Sequence, residues 1–68
     1  MTYQELSQFI KQERKKQKLT QQQLADKAEV SRRTILYIEG EKETNWTTLE
    51  KIVKALGYNI EVVISKTE

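Results

Sequence analysis

Apolar side chains recur every three or four positions along most of the chain, the spacing of an amphipathic helix. Leu6, Phe9 and Ile10 form the first apolar stripe. The last stripe consists of Trp46, Leu49, Ile52, Val53 and Leu56. Together with two shorter stripes between them, they predict four helices at about residues 2–17, 20–27, 31–39 and 45–56, N-caps included.

Residues that start and stop helices lie at the ends of these segments. Thr2 with Glu5, and Thr20 with Gln23, have the spacing of a capping box. The two later helices have single N-cap candidates, Ser31 and Asn45. Two glycines end these helices, and Gly40 is expected to be left-handed.

The tail has a different period. In "YNIEVVIS", residues 58–65, one face carries Tyr58, Ile60, Val62 and Ile64, which is the alternation of a β-strand. No second strand is predicted, and a lone strand leaves its backbone groups unpaired. We therefore expect this strand to pair with its copy across a homodimer, with its apolar face on the stripe of the last helix. A frayed tail, or an edge for a different partner, is the alternative. The predicted division is a helical domain, 1–57, and a dimerisation strand and tail, 58–68.

The segment "LTQQQLADKAEVSRRTILYIEG", residues 19–40, has the packing pattern of two short helices that cross steeply. Small Ala25 lies where the helices would approach each other, and Val30 would fill the turn. The remaining apolar positions point to the core: Leu24, Ala28, Ile35 and Ile38. All six positions fit a helix-turn-helix unit.

This spacing, with "LTQQQLA" and "IEG", resembles the Cro and phage-repressor family of helix-turn-helix proteins, the Xre type, over residues 6–57. The resemblance implies a mainly α, four-helix repressor-like domain whose recognition helix, about 31–39, enters the DNA major groove. It implies base contacts from the exposed face of that helix: Arg32, Arg33, Thr34 and Tyr37. Arginine also matches guanine chemically, although one arginine can contact phosphate instead, and solvated surface charge is the alternative.

The resemblance also assigns phosphate contacts to Gln21 and Lys42. A helix N-terminus favours an anion near Gln21 in any case. Thr20 can add a hydroxyl, but its capping role explains it without DNA. Lys42 is equally well read as an ordinary loop lysine, and Asn45, with Thr44 beside it, is read first as a cap.

Arg14 is expected to pair with Glu39 of "IEG", which would connect the first helix to the recognition helix, as the resemblance implies. The neighbouring lysines are expected to be solvated and to attract DNA non-specifically. Trp46 is expected in the core.

Two positions depart from the family pattern. Glu29 occupies the turn where relatives usually have glycine, and a left-handed non-glycine residue costs roughly 1 kcal/mol. The strand at Tyr58 replaces the fifth helix of many relatives. This ending is similar to that of small repressors and antitoxins that dimerise through a β-ribbon.

Composition narrows the chemistry. The 68 residues include no cysteine and no histidine, so disulfides and the common zinc and thiol sites are excluded. Nothing suggests an enzyme, a cofactor, a metal, a membrane span or a small-molecule ligand, and a cytoplasmic protein is expected. Residues 1–38 carry eight lysines and arginines against four acids, whereas residues 39–68 carry four against six. The first half therefore suits an anionic partner.

Two functions compete. In the first, a homodimer represses transcription by binding double-stranded DNA at a palindromic operator. In the second, the chain is the antitoxin of a toxin–antitoxin pair, binding a toxin protein and repressing its own operon. They differ in whether a second protein is required.

Overall fold

The computed structural model describes residues 1–67 and consists of four α-helices with a C-terminal segment. Glu68, the last residue of the predicted tail, lies outside the described residues. The helices agree with the predicted bounds to within one residue: α1 (Tyr3–Lys16), α2 (Gln21–Ala28), α3 (Arg32–Glu39) and α4 (Trp46–Ala55). None of the helices in residues 1–67 has the length and apolar character needed to cross a membrane.

The N-caps predicted from the sequence are present. The Thr2 hydroxyl accepts from the N–H of Glu5, and the Glu5 carboxylate accepts from the N–H of Thr2. Thr20 and Gln23 form the same reciprocal pair. The caps satisfy N–H groups that have no partner inside a helix. The Thr2 backbone N–H and hydroxyl also lower the pKa of Glu5.

The core lies between the four helices. Helix α2 packs against α3 and α4, while α1 packs against α3. The buried apolar side chains are those of Ile10, Leu24, Ala25, Ala28, Ile35, Ile38, Leu49, Ile52, Val53 and Leu56. They include the helix-turn-helix core positions apart from Val30, which is partly buried against the others. Ser7 is also buried, and its hydroxyl has no hydrogen-bond partner among the described residues.

Left-handed residues follow all four helices, but Gly40 is not one of them. Gly40 has φ −88°, and the left-handed residue after α3 is Glu41, with φ 66°. The prediction for Gly40 was therefore wrong by one position. Gly57, at φ 93°, ends α4 as expected, and Glu29 is left-handed at φ 59°. Lys18, at φ 60°, follows α1.

Trp46 is not a core residue. Its side chain is 42% exposed, because α4 begins at this position and the indole lies at the edge of the helix bundle. There it lines a shallow groove of about 700 Å³, together with Met1, Tyr3, Leu6 and Leu49.

The C-terminal segment packs on the helices at its start only. The Tyr58 ring meets Phe9 edge-on with centroids 5.0 Å apart, and Ile60 packs against the core. The predicted strand is not seen, since residues 58–67 of this single chain contain no β-structure. Val62, Val63 and Ile64 are 63%, 83% and 91% exposed.

Candidate nucleic-acid interface

Helix α3 has a buried face and an exposed polar face. Ile35 and Ile38 are fully buried against the other helices. Arg32 and Arg33 are exposed in the first turn, and Tyr37 is 42% exposed one turn later. Two guanidinium groups therefore lie in solvent at the start of a helix whose opposite side is fixed in the core.

Ser31 caps the N-terminus of α3. The Ser31 hydroxyl accepts from the N–H of Thr34, and the hydroxyl groups of Ser31 and Thr34 lie 2.9 Å apart. The Thr34 hydroxyl is thus already hydrogen-bonded within the chain and is half-buried, unlike the arginines beside it.

The turn between α2 and α3 is closed by backbone hydrogen bonds. The Val30 N–H donates to the carbonyl of Ala25 at 2.9 Å, and the Glu29 N–H donates to that of Asp26 at 3.3 Å. This pattern requires the left-handed conformation of Glu29 and orients α3 relative to α2.

A buried ion pair connects α1 to the end of α3. Arg14 Nε donates to Glu39 Oε2 at 2.6 Å, and Arg14 Nη2 donates to Oε1 at 3.0 Å. Arg14 Nη1 donates to the carbonyl of Leu19, and Gln21 Nε2 donates to Glu39 Oε1 at 3.2 Å. The Glu39 carboxylate therefore joins α1, α2 and α3 at one point.

The start of α2 lies beside this network. Gln21 is half-buried, with one amide hydrogen directed to Glu39. The Thr20 hydroxyl accepts a hydrogen bond from the N–H of Gln23, and its own proton remains available for donation to another acceptor.

The loop after α3 is hydrogen-bonded to both α1 and α3. Lys42 donates its N–H to the Tyr37 carbonyl at 2.9 Å, and its own carbonyl accepts from the Tyr3 hydroxyl at 2.6 Å. The Lys42 ammonium lies 5.0 Å from the centroid of the Tyr37 ring, within range of a cation–π contact. The pKa of Tyr3 is raised, because the effects of burial and of the Glu43 carboxylate exceed that of a hydrogen bond from the Thr44 backbone, which lowers the pKa.

The predicted contact residues thus occupy three neighbouring elements: the exposed face of α3, the start of α2 and the loop after α3. Two residues of this region were not predicted. Leu36 is 50% exposed on α3, and Tyr3 contacts the Lys42 loop. Leu36 falls outside the buried positions of the helix-turn-helix pattern, so its exposure could have been predicted from the sequence. The contact of Tyr3, 39 positions from Lys42, has no local signal.

Two short helices crossing at a closed turn, with basic groups on the outer face of the second, define a helix-turn-helix DNA-binding unit. A family model described as Helix-turn-helix matches residues 10–63. The chain belongs to this family, of the Xre and Cro type, and is a DNA-binding transcriptional regulator. No curated protein matches the sequence significantly. Residues 1–67 contain no group of acidic side chains suited to holding a metal ion.

Proposed function

We propose that the chain is a repressor that binds a palindromic operator as a homodimer. The observation that carries the proposal is the first turn of α3, where Arg32 and Arg33 are exposed while the helix behind them is fixed by buried contacts. A rigid helix holds its donors in one orientation, and base recognition in the major groove depends on such orientation.

In this proposal, α3 reads bases and its neighbours contact the backbone. Arg32, Arg33 and Tyr37 face base edges. Thr34 contributes its methyl group and the hydrogen-bonding capacity that its hydroxyl keeps beside the contact to Ser31. Leu36, exposed on the same helix, suits the methyl group of thymine.

Phosphate contacts come from both sides of α3. Gln21 and Thr20 offer donors at the N-terminus of α2, where the helix dipole also favours an anion. Lys42 offers its ammonium from the loop after α3.

The dimer is proposed to form through the C-terminal segment. Val62 and Ile64 lie on the apolar face of the predicted strand and are exposed in the single chain, which is unusual unless a partner covers them. Pairing Tyr58, Ile60, Val62 and Ile64 with a second copy would satisfy the backbone of this segment. Such a dimer presents its two α3 helices to half-sites about 34 Å apart.

The base contacts are tested by comparing Arg33→Ala with Lys15→Ala, which removes an exposed charge from α1. Arg33→Ala should relax base preference at one half-site position and cost about 1–3 kcal/mol of operator binding. Lys15→Ala should leave base preference unchanged. Equal base preference for Arg33→Ala and the parent chain would contradict the assignment of α3 as the reading helix.

The dimer is tested by comparing Val62→Glu with Val63→Glu. Both place the same charge on the segment, but only Val62 lies on the face proposed to rest on the helices. By sedimentation velocity, Val62→Glu should be monomeric, while Val63→Glu should retain most of the dimer. Dimerisation and operator affinity that survive Val62→Glu would exclude the ribbon.

The second candidate is an antitoxin, and the groove beside Trp46 favours it. An indole that is 42% exposed, in a groove walled by Met1, Tyr3, Leu6 and Leu49, offers a surface for a protein partner. The test is coexpression with the product of any neighbouring toxin-like reading frame. A stable complex that Trp46→Ala disrupts would support the antitoxin, and no complex would favour the repressor acting alone.

A further inference from the structure

The backbone of Lys42 is hydrogen-bonded on both sides. Its N–H donates to the carbonyl of Tyr37 in α3, and its carbonyl accepts from the hydroxyl of Tyr3, the first residue of α1. At 2.6 Å, the Tyr3 contact lies within the normal range for a hydrogen bond from a hydroxyl donor. Lys42 is therefore fixed relative to two helices, although its side chain is exposed.

The direction of the Lys42 side chain matters because of its neighbours in the chain. Glu41 and Glu43 flank Lys42, and both are exposed. A loop free to reorient would bring carboxylates as often as the ammonium towards a phosphate, and like charges repel. In the observed conformation the ammonium lies above the Tyr37 ring, on the side of α3 that carries an exposed base-contact candidate.

We propose that Tyr3 is a positioning residue for DNA binding: its hydrogen bond to the Lys42 carbonyl orients the loop so that Lys42 contacts a phosphate. The inference rests on the proposed function, and it adds α1 to the elements that determine affinity. Tyr3 itself contacts no DNA in this account, and its whole effect passes through Lys42.

The chain contains a control for removal of a long-range side-chain donor to a backbone carbonyl. Gln17, the C-cap of α1, donates from Nε2 to the carbonyl of Leu56 at 2.7 Å. This hydrogen bond connects α1 to the end of α4 instead of the Lys42 loop. Gln17→Met therefore removes a comparable hydrogen bond without touching the loop or the proposed dimer segment.

The experiment is a double-mutant cycle of Tyr3→Phe and Lys42→Met, with affinity measured by fluorescence anisotropy. The probe is a labelled random-sequence duplex of about 20 base pairs, or two helical turns, because a phosphate contact acts on any sequence. Binding is measured across a salt series beginning near 50 mM. Circular dichroism of each variant verifies that the helices are retained.

We expect Tyr3→Phe to weaken binding by about threefold to tenfold and to make the salt dependence shallower, as loss of a phosphate contact does. In the Lys42→Met background, Tyr3→Phe should change nothing. Gln17→Met should bind like the parent chain. A purely structural role for Tyr3 would instead lower affinity equally in both backgrounds.

The outcomes separate this inference from the function on which it rests. Salt-dependent binding of the parent chain, with no coupling between Tyr3 and Lys42, would overturn the positioning role alone. An absence of salt-dependent binding by the parent chain would overturn the proposed function as well.

Discussion

Replacing Glu39 by glutamine should destabilise the whole domain, because one carboxylate joins three helices. Glu39 is 4% exposed in its side chain and accepts hydrogen bonds from Arg14 Nε, Arg14 Nη2 and Gln21 Nε2. Glutamine has nearly the same shape, but it places an NH₂ group where one acceptor oxygen had been. It also leaves the guanidinium of Arg14 buried without a counter-charge.

The size of the effect follows from the burial of the pair. Removing one partner of a buried ion pair costs about 3–5 kcal/mol, in contrast to at most about 1 kcal/mol for an exposed pair. Arg14 retains its hydrogen bond to the Leu19 carbonyl, and the glutamine oxygen can still accept, so we expect a loss of about 2–3 kcal/mol. The total stability expected for a chain of this length is only roughly 3–10 kcal/mol.

The assay is urea unfolding followed by circular dichroism, with Glu41→Gln as the control. Glu41 lies two residues away, is exposed and makes no ion pair among the described residues, so its substitution should change stability by less than about 0.5 kcal/mol. In a thermal scan, Glu39→Gln should lower Tm by roughly 10–20 °C. Equal unfolding midpoints for the two variants would refute the role of the buried pair.

Three further substitutions test local features of the fold. Glu29→Gly should stabilise the domain by about 1 kcal/mol, measured by urea unfolding, because glycine adopts φ 59° without strain. The control, Glu29→Gln, removes only the charge. An equal gain in stability from Glu29→Gln would mean that the charge, and not the backbone strain, is responsible. Ser7→Ala should stabilise the domain by about 1 kcal/mol, because it removes a buried hydroxyl that has no hydrogen-bond partner among residues 1–67 and introduces a better helix former. A loss of stability would mean that the hydroxyl is hydrogen-bonded in solution. The pKa of Glu5 is lower in the folded chain than its unfolded value of 4.5, so the ionised carboxylate stabilises the fold above pH 4.5. This stabilisation is lost as the pH falls through the pKa of Glu5 in the folded chain. Glu5→Gln should therefore make unfolding less dependent on pH below 4.5, and an unchanged acid profile would contradict the capping role.

Features that depend on neighbouring residues could be predicted from the sequence. Helix bounds follow from apolar periodicity and from caps such as Thr20 and Ser31, whose hydrogen bonds reach only three residues ahead. The left-handed Glu29 was predicted from the family resemblance, because relatives usually have glycine at this turn. The two faces of α3 follow from the same period, because Ile35 and Ile38 have to face the core.

Features that depend on how an element ends, or on a second chain, were harder to predict. After α3, Gly40 was predicted to be the left-handed residue, but Gly40 is the C-cap with φ −88° and the left-handed residue is Glu41. Trp46 shares the apolar stripe of α4, yet at the first position of the helix no preceding turn covers its ring. The strand pairing needs a partner chain, so the residues of a single chain do not test it.

Selection of bound sequences from a random duplex library, with the purified chain alone at near-physiological salt, tests the central claim most directly. A dimer reading DNA through Arg32 and Arg33 should enrich an inverted repeat with guanines in each half and half-site centres about 34 Å apart. Failure to enrich any motif, or enrichment of the same motif by a chain with both arginines replaced by alanine, would contradict it.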